Sequence, residues 1–505
     1  MRTHDWCAAL IAAMALVAAP ASAAPRVHLA QGDLAGVSAA GADSFKAIPF
    51  AAPPIGDLRW RPPASGPRWA GVRDASKYGP ACMQRMREGR TLEISEDCLT
   101  LNVWTPAGRK PGARAPVMVW IYGGGFVTGA NSISAYDGTR YAQHGVVLVA
   151  INYRLGRFGF FAHPALDGGA EPVANYGLMD QIAALRWVRD NIAAFGGDPA
   201  NVTIFGESAG GMSVNALLAS PAARGLFHKA IAESSFARGK NPTLPDAEQN
   251  GRRFAAAQGV TGDGADAAAA LRKLAAEAIN APYGGGERSG PMIDGRILTQ
   301  SPIEAFAKGE QAHVPYIIGG NSNEAGGRPD TPKDPEAAMA RFGPDRDKVV
   351  ALYGGGDLRR IAAAAATDTM VGEPDRYMAR RMQAAGAPAF VYHFSYVPPS
   401  MRAAAFGAFH GAEVSYVFDN LPTEAVSAAG YSAPAAGPED RAISTAMIAY
   451  WSAFAKTGDP GSAGGPRWPR ISDGTLEFGI DGVQARPAFH KDRLDWAEQV
   501  AQRPN

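Results

Sequence analysis

A serine in a short glycine-containing motif is the strongest candidate for a nucleophile in this sequence. Residues 206–210 read Gly-Glu-Ser-Ala-Gly and fit the Gly-x-Ser-x-Gly pattern. In that pattern a sharp strand-to-helix turn strains the serine backbone and points the hydroxyl outward. A β-prone run, residues 202–205, precedes it, and a helix-compatible run, residues 212–218, follows. The pattern therefore predicts Ser208 as a nucleophile that needs a neighbouring base to take its proton.

The order of residues along the chain selects the candidate base. In the strand–serine–helix architecture the order is serine, acid, histidine. Of the histidines after Ser208, we favour the one in the glycine-bearing loop 406–413. The others fall too close to Ser208, before a strand, inside a strand, or in a charged, surface-like segment near the end of the sequence. The favoured base is His410, and the others are His228, His313, His393 and His490.

The acid of such a group should also follow a strand. The apolar, β-prone run 314–318 is followed by the glycine- and asparagine-rich segment 319–323. Glu324 comes directly after that segment, six residues beyond the end of the run. Asp330 is the runner-up, since it lies farther from the strand end. A carboxylate here would hold the histidine tautomer and stabilise the imidazolium.

A triple glycine, residues 123–125, follows the apolar run 117–122. Without a Cβ, these residues can bring backbone N–H groups close to a developing oxyanion, and Ala209 can supply another at a helix N-terminus. The alternative for three glycines is a flexible turn. The apolar strand before them and Phe126 after them favour an oxyanion hole.

The elements that must position these residues alternate between strand and helix. Apolar β-prone runs lie at residues 117–122, 146–151, 202–205, 314–318 and 390–394, and residues 176–195 have helical periodicity. This alternation predicts an α/β fold with a mostly parallel sheet flanked by helices. The alanine-rich segments 254–280 and 361–366 are predicted as peripheral helices, and no composition break divides residues 24–505 into two domains.

The first residues resemble an export signal. Arg2 precedes an apolar stretch, residues 8–19, and the small residues 21–23 suggest cleavage after Ala23. The stretch is shorter than the roughly 20 residues that span a bilayer, which argues against a stable membrane anchor. We therefore expect a signal peptide at 1–23 and a periplasmic or secreted protein. A net charge of +1 without a basic run argues against a nucleic-acid partner.

Two cysteines remain after that cleavage, Cys82 and Cys98. An even pair in an oxidising compartment favours a disulfide over two free thiols.

Two long segments, residues 195–210 and 96–104, resemble the signatures of the type-B carboxylesterase family, which includes cholinesterases and bacterial para-nitrobenzyl esterases. The resemblance runs from residue 45 to about 468. It implies the α/β-hydrolase fold, with helical insertions around an active-site gorge, and a serine esterase that needs neither metal nor cofactor. The site residues it implies are the triad Ser208, Glu324 and His410, the oxyanion donors Gly124, Gly125 and Ala209, a buried polar network of Glu207, Ser234 and Glu413, the Cys82–Cys98 disulfide, and an Arg59–Glu96 salt bridge.

Two departures qualify the resemblance. The segment between Cys82 and Cys98 has no tryptophan, whereas cholinesterases place one there to hold a quaternary ammonium by cation–π attraction. We therefore expect small to medium carboxylic esters as substrates and not choline esters. Ser235 stands where the family usually has glycine.

Two other functions stay open at this stage. Some relatives keep the fold without the triad and act as adhesion-like binding proteins. A triad enzyme can also act mainly on amides, thioesters or lactones, since the fold does not decide the substrate.

Overall fold

The computed structural model describes residues 24–86, 92–110, 112–167, 169, 173–284, 287–325, 334–422, 426–428, 431–433 and 435–503. The predicted signal peptide, residues 1–23, and the alternative acid Asp330 lie outside the described residues.

The strands of the described residues are β1 Arg26–Leu29, β2 Gly32–Ala35, β3 Val37–Ala39, β4 Ala42–Pro49, β5 Val72–Asp74, β6 Ala81–Cys82, β7 Ile94–Ser95, β8 Thr100–Pro106, β9 Ala115–Ile121, β10 Val147–Ile151, β11 Gly197–Glu207, β12 Lys229–Glu233, β13 Tyr316–Asn321, β14 Ala389–Phe394, β15 Val426–Ala428, β16 Tyr431–Ala433, β17 Thr475–Gly479 and β18 Gly482–Arg486. The α-helices are α1 Thr139–Gln143, α2 Gly156–Gly159, α3 Tyr176–Asn191, α4 Ala209–Ala219, α5 Leu244–Ala257, α6 Ala265–Arg272, α7 Ala276–Ile279, α8 Pro302–Lys308, α9 Pro335–Ala340, α10 Arg346–Leu352, α11 Leu358–Thr367, α12 Glu373–Ala384, α13 Val414–Val417, α14 Pro438–Thr457 and α15 Lys491–Ala501. Within these ranges no helix is long and apolar enough to cross a membrane.

One large sheet carries the core, with the strand order β18-β17-β14-β13-β12-β11-β9-β10-β8-β4-β3. The central strands, from β17 through β14, β13, β12, β11 and β9 to β10, pair in parallel. Antiparallel strands close both edges. The predicted mostly parallel sheet is therefore confirmed. The central strands are buried almost continuously, because helices cover both faces.

The order in which successive strands are added to the sheet reverses at β9. β10 pairs with one side of β9, and β11 pairs with the other side after the chain returns through α3. In open α/β sheets the crevice beyond the carboxyl ends of the strands is where ligands bind. The residues that follow β9, β11, β12 and β13 are therefore brought to one edge of the sheet.

The helix predicted over residues 176–195 is present as α3, followed by a 3-10 turn at Ile192–Phe195. Leu178, Ile182, Leu185 and Val188 recur at helical spacing, and all of them are buried. Their burial holds the crossover helix against the sheet and so fixes where β11 begins.

A covalent link and an ion pair secure the segment before β8. Cys82 and Cys98 form the expected disulfide, 16 positions apart in the sequence. Arg59 donates from Nε to Glu96 Oε2 at 2.7 Å, and the implied salt bridge is therefore present.

The structure contains one long helix that the sequence patterns did not indicate. α14, the 20-residue helix Pro438–Thr457, was not predicted, although its proline at the start and Gly458 at its end are typical helix boundaries. The segment around His490 was expected to be surface-like. Residues 487–488 and 491–492 are exposed, and the half-buried ring of His490 packs against Phe489 and His393, with ring centroids 3.8 and 5.8 Å away.

Candidate active site

Ser208 lies in the sharp turn between β11 and α4. Its backbone adopts φ 57° and ψ −121°, a strained conformation for a residue with a side chain. The turn needs glycine on both sides for lack of space. A Cβ at Gly206 would lie 2.4 Å from the carbonyl oxygen of Ile121, and a Cβ at Gly210 only 1.9 Å from the same oxygen. The small residues of the pattern therefore allow β9 to pack directly against the turn.

A continuous hydrogen-bonded chain joins Ser208, His410 and Glu324. His410 Nε2 is 2.9 Å from Ser208 Oγ, and His410 Nδ1 is 2.6 Å from Glu324 Oε2. The side chain of Glu324 is fully buried, whereas that of His410 is 35% exposed. The structure thus brings together the three residues that chain order selected, with the nucleophile–base–orienter geometry of acyl transfer.

Glu324 is held in place by two donors besides His410. Its Oε1 accepts from Ser234 Oγ at 2.6 Å and from the backbone N–H of Asn321 at 2.7 Å. Ser234 follows β12, and Asn321 ends β13, so the carboxylate is fixed by the ends of two neighbouring strands. Such support keeps the second carboxylate oxygen available to the imidazole.

A cluster of buried carboxyl groups surrounds His410. Glu207 Oε1 lies 3.2 Å from His410 Nε2, and Glu413 Oε1 lies 3.3 Å from Ser234 Oγ. Burial raises the pKa of Glu207 to about 7, against the opposing effect of His410, and raises the pKa of Glu413 well above its usual value. Burial alone would lower the pKa of His410, but Glu207, Glu324 and Glu413 outweigh it and raise that pKa to about 9. The cluster therefore favours the imidazolium form.

The glycine loop lies against Ser208. A Cβ at Gly123 would come within 2.8 Å of Ser208 Cβ, and Gly124 and Gly125 have φ of 110° and 64°. Within the described part of the chain, the backbone N–H groups of Gly124, Gly125 and Ala209 donate no hydrogen bond. Unpaired N–H groups beside a nucleophilic oxygen are the donors that an oxyanion hole requires.

Several residues of the site were not foreseen from the sequence. Phe236 packs against the imidazole of His410, with ring centroids 5.2 Å apart. The carbonyl oxygen of Glu233 accepts from the N–H of Ser208 at 2.9 Å, and Asn321 Nδ2 donates to Glu413. All three lie at or just after the ends of parallel strands, and that placement is the signal by which they could have been found.

Ser235, which departs from the family pattern, is accommodated by a local hydrogen bond. Its side chain is fully buried, and its hydroxyl accepts from Asn215 Nδ2 at 2.9 Å. Asn215 Oδ1 in turn accepts from the hydroxyl of Tyr316 at 2.6 Å. The added hydroxyl is therefore not left unpaired in the core.

The other histidines after Ser208 have separate surroundings. The ring of His228 accepts from the N–H of Val202, and that of His313 contacts the carbonyl of Gly309. His393, on β14, and His490 pack against each other. Among the described residues, no group of three or more His, Cys, Asp and Glu side chains is arranged to hold a metal ion.

Known proteins share both this fold and most of this sequence. The model of the carboxylesterase family matches residues 23–340 and 354–490. Fumonisin B1 esterase of Sphingopyxis macrogoltabida is 37% identical, over 88% of this chain and 84% of its own. Carboxylesterase 1C of Rattus norvegicus is 33% identical, over 91% of this chain and 89% of its own. A solved structure of PNB esterase is 33% identical, with a TM-score of 0.78 over 93% of this chain and 99% of that chain. The chain therefore belongs to the carboxylesterase family, and it is a carboxylic ester hydrolase with the α/β-hydrolase fold.

Proposed function

We propose that the protein hydrolyses small to medium carboxylic esters through an acyl-enzyme, with Ser208 as nucleophile, His410 as general base and acid, and Glu324 as the residue that orients His410. One observation carries this proposal. The chain from Ser208 Oγ through both nitrogens of His410 to Glu324 is continuous, with steps of 2.9 and 2.6 Å.

The first half of the reaction forms the acyl-enzyme. Ser208 Oγ attacks the ester carbonyl carbon while His410 Nε2 takes the hydroxyl proton. The carbonyl oxygen gains the negative charge and accepts from the N–H groups of Gly124, Gly125 and Ala209. The tetrahedral intermediate then collapses, the bond to the alkoxy oxygen breaks, and His410 returns the proton to the leaving alcohol.

Water completes the cycle by the same route. His410 takes a proton from water as the water oxygen attacks the acyl carbon, and the collapsing intermediate releases the carboxylic acid and returns the proton to Ser208. Throughout, Glu324 accepts from Nδ1 and stabilises the imidazolium that each attack creates. Glu207, 3.2 Å from Nε2, adds negative charge on the other side of the ring.

Replacement of the nucleophile tests this assignment. Ser208→Ala should fold normally and lose activity by a factor of order 10⁶ in kcat, as removal of a triad member does. Ser213→Ala, one turn along α4, is the matched control and should keep activity, because the Ser213 hydroxyl bonds to Ala209 O and Gln181 away from the triad. A fluorophosphonate probe should label the parent and Ser213→Ala at Ser208. Substantial turnover by purified Ser208→Ala would refute the nucleophile, and an unlabelled Ser208 would favour a non-catalytic binding role.

A substrate panel would define the acyl and alcohol preferences. The names of two relatives supply its first members, fumonisin B1 and PNB esters. Short-chain aryl and alkyl esters extend the panel in acyl length and alcohol bulk. We expect turnover of the short-chain esters and little of acetylcholine, and a marked preference for choline esters would contradict the argument from the missing tryptophan.

We further propose that residues 1–23 are a cleaved signal peptide and that residues 24–505 form one exported catalytic domain. The basic start, apolar stretch and small residues before Pro25 support cleavage, and the Cys82–Cys98 disulfide suits an oxidising compartment. N-terminal sequencing of protein from the periplasm and the medium should begin at Ala24. Protein that starts at Met1 and stays in the cytoplasmic fraction would contradict export.

A further inference from the structure

A cavity of about 260 Å³ lies beside β13 and β14, and Ser208 does not line it. It is bounded by β13 and β14, by the π-helical turn Asp368–Gly372, by α12 and by the start of α15. None of the triad residues lines it. We propose that this cavity is a second binding site, which takes a small organic carboxylate with a compact apolar body.

Five apolar side chains of the wall are suited to the apolar body of such a ligand. Val371, Val391, Ile471, Phe489 and Leu494 all line the cavity. Most of the surface that these walls expose is therefore aliphatic or aromatic, as in small-molecule sites where a few polar groups fix the orientation.

The charged side chains along the cavity favour an anion. Arg376, Arg380 and Lys491 line it, and among the described residues they share two carboxylates. Arg376 pairs with Asp495 at 2.7 Å and with Glu498 at 2.8 Å, Arg380 reaches the same Glu498 at 3.5 Å, and Lys491 pairs with the same Asp495. Three cations against two carboxylates leave one positive charge for a ligand carboxylate to balance.

The other titratable groups at the cavity do not offset that charge. Asp368 is paired with Arg493 at 2.7 Å. Asp375 is buried, and neither of its carboxyl oxygens has a hydrogen-bond partner among the described residues. Burial raises its pKa well above its usual value, which favours the neutral acid. Burial, with Arg493 nearby, lowers the pKa of His393 and of His490 to about 3, so both imidazoles are uncharged and offer hydrogen bonds only.

The position of the cavity connects it to the ester site. Gly320 and Asn321 of β13 form part of its wall, and the N–H of Asn321 donates to Glu324 at 2.7 Å. A Cβ at Gly320 would lie 2.9 Å from Glu324 Oε1. If the proposed function holds, ester hydrolysis itself produces carboxylates of the class that this cavity fits. Binding in the cavity does not depend on that reaction, however, and is tested without it.

The test uses 4-bromobenzoate as the probe and the full chain carrying Ser208→Ala, so that turnover plays no part. Crystals soaked with the probe should show the anomalous signal of bromine between β14 and α15. Calorimetry should show binding that Ser472→Trp, a change at the exposed cavity rim, weakens at least tenfold. 4-Bromobenzyl alcohol, the neutral analogue, should bind far more weakly.

Charge variants separate a carboxylate site from a merely apolar pocket. Lys491→Met and Arg380→Gln should each weaken 4-bromobenzoate binding by about threefold to fivefold, the range of a single exposed ion pair. Lys308→Met, an exposed lysine on α8 away from the cavity, should leave binding unchanged. In a chain with native Ser208, Ser472→Trp should keep normal ester hydrolysis, which shows that the variant folds. Bromine found only beside residue 208, equal binding of the alcohol, or binding that Ser472→Trp leaves intact would each overturn the proposal.

Discussion

Replacement of Glu207 by glutamine should shift the pH dependence of ester hydrolysis toward lower pH. Glu207 Oε1 is 3.2 Å from His410 Nε2, the nitrogen that takes the proton of Ser208 in the proposed mechanism. The carboxylate stabilises the imidazolium, which contributes to the raised pKa of His410, about 9. Only the neutral imidazole acts as a base, so activity rises as pH rises through that value. Glutamine keeps the shape of the side chain and removes its charge.

The size of the shift follows from the distance. Two unit charges 3.2 Å apart interact by about 1.3 kcal/mol at the permittivity of water, and by about 5 kcal/mol at an effective permittivity of about 20. The side chain of His410 is 35% exposed, so we take the lower figure. It corresponds to about one pKa unit. The pKa of Glu207 is about 7, so Glu207 is ionised over the range in which His410 loses its proton, and the full charge is lost in the variant.

The assay is kcat/KM for a short-chain alkyl ester, measured by pH-stat from about pH 6 to about pH 10, which reports the ionisation of the free enzyme. The acid limb should move to lower pH by about one unit in Glu207→Gln. Glu277→Gln, which removes an exposed and distant charge, is the matched control and should leave the limb in place. A limb that stays fixed while the folded Glu207→Gln loses activity would refute the electrostatic argument and leave Glu207 as a positioning residue.

Three further changes test other parts of the site and fold. Gly124→Ala should lower kcat by about 10²–10³ in the same assay without unfolding the protein, because the new Cβ would lie 2.2 Å from Thr128 O and displace an oxyanion donor; unchanged kcat would exclude that donor role. Glu324→Gln should lower kcat by up to about 10⁴, and Glu324→Asp should recover part of the loss; near-normal turnover by Glu324→Gln would mean that the negative charge is not needed. Reduction of the Cys82–Cys98 disulfide, or its replacement by two serines, should lower the free energy of unfolding by about 3 kcal/mol in urea titrations, and an unchanged midpoint would mean that the link adds nothing to stability.

The parts of the fold that follow from periodicity and chain order were predictable. β9, β10, β11, β13 and β14 were expected from apolar runs, because strands buried on both faces are apolar throughout. The meeting of Ser208 with Glu324 and His410 was expected from their order after successive strands, since parallel strands bring their carboxyl ends to one edge.

The parts that depend on packing between distant segments were not predictable. Phe236 lies against His410 only because the turn after β12 bends back toward it, with positive φ at both Ser234 and Phe236. The charged residues around His490 indicated a surface-like segment, and they gave no sign that its half-buried ring packs against His393. Local composition carries no information about which helix covers which strand.

The protonation states of His410 and the carboxyl groups around it depend on the whole site, and no single sequence motif indicates them. Glu207 and Glu413 are buried beside Glu324, and burial also raises the pKa of Glu233, just before Ser234, to about 8. Carboxylates this close cannot all stay ionised around one imidazolium, because each added negative charge raises the pKa of the others. Protons are therefore shared among the group, and its titration belongs to the cluster and not to one residue. It follows that a neutral replacement anywhere in the cluster should alter the pH dependence of hydrolysis, most strongly at Glu207, which lies nearest to Nε2.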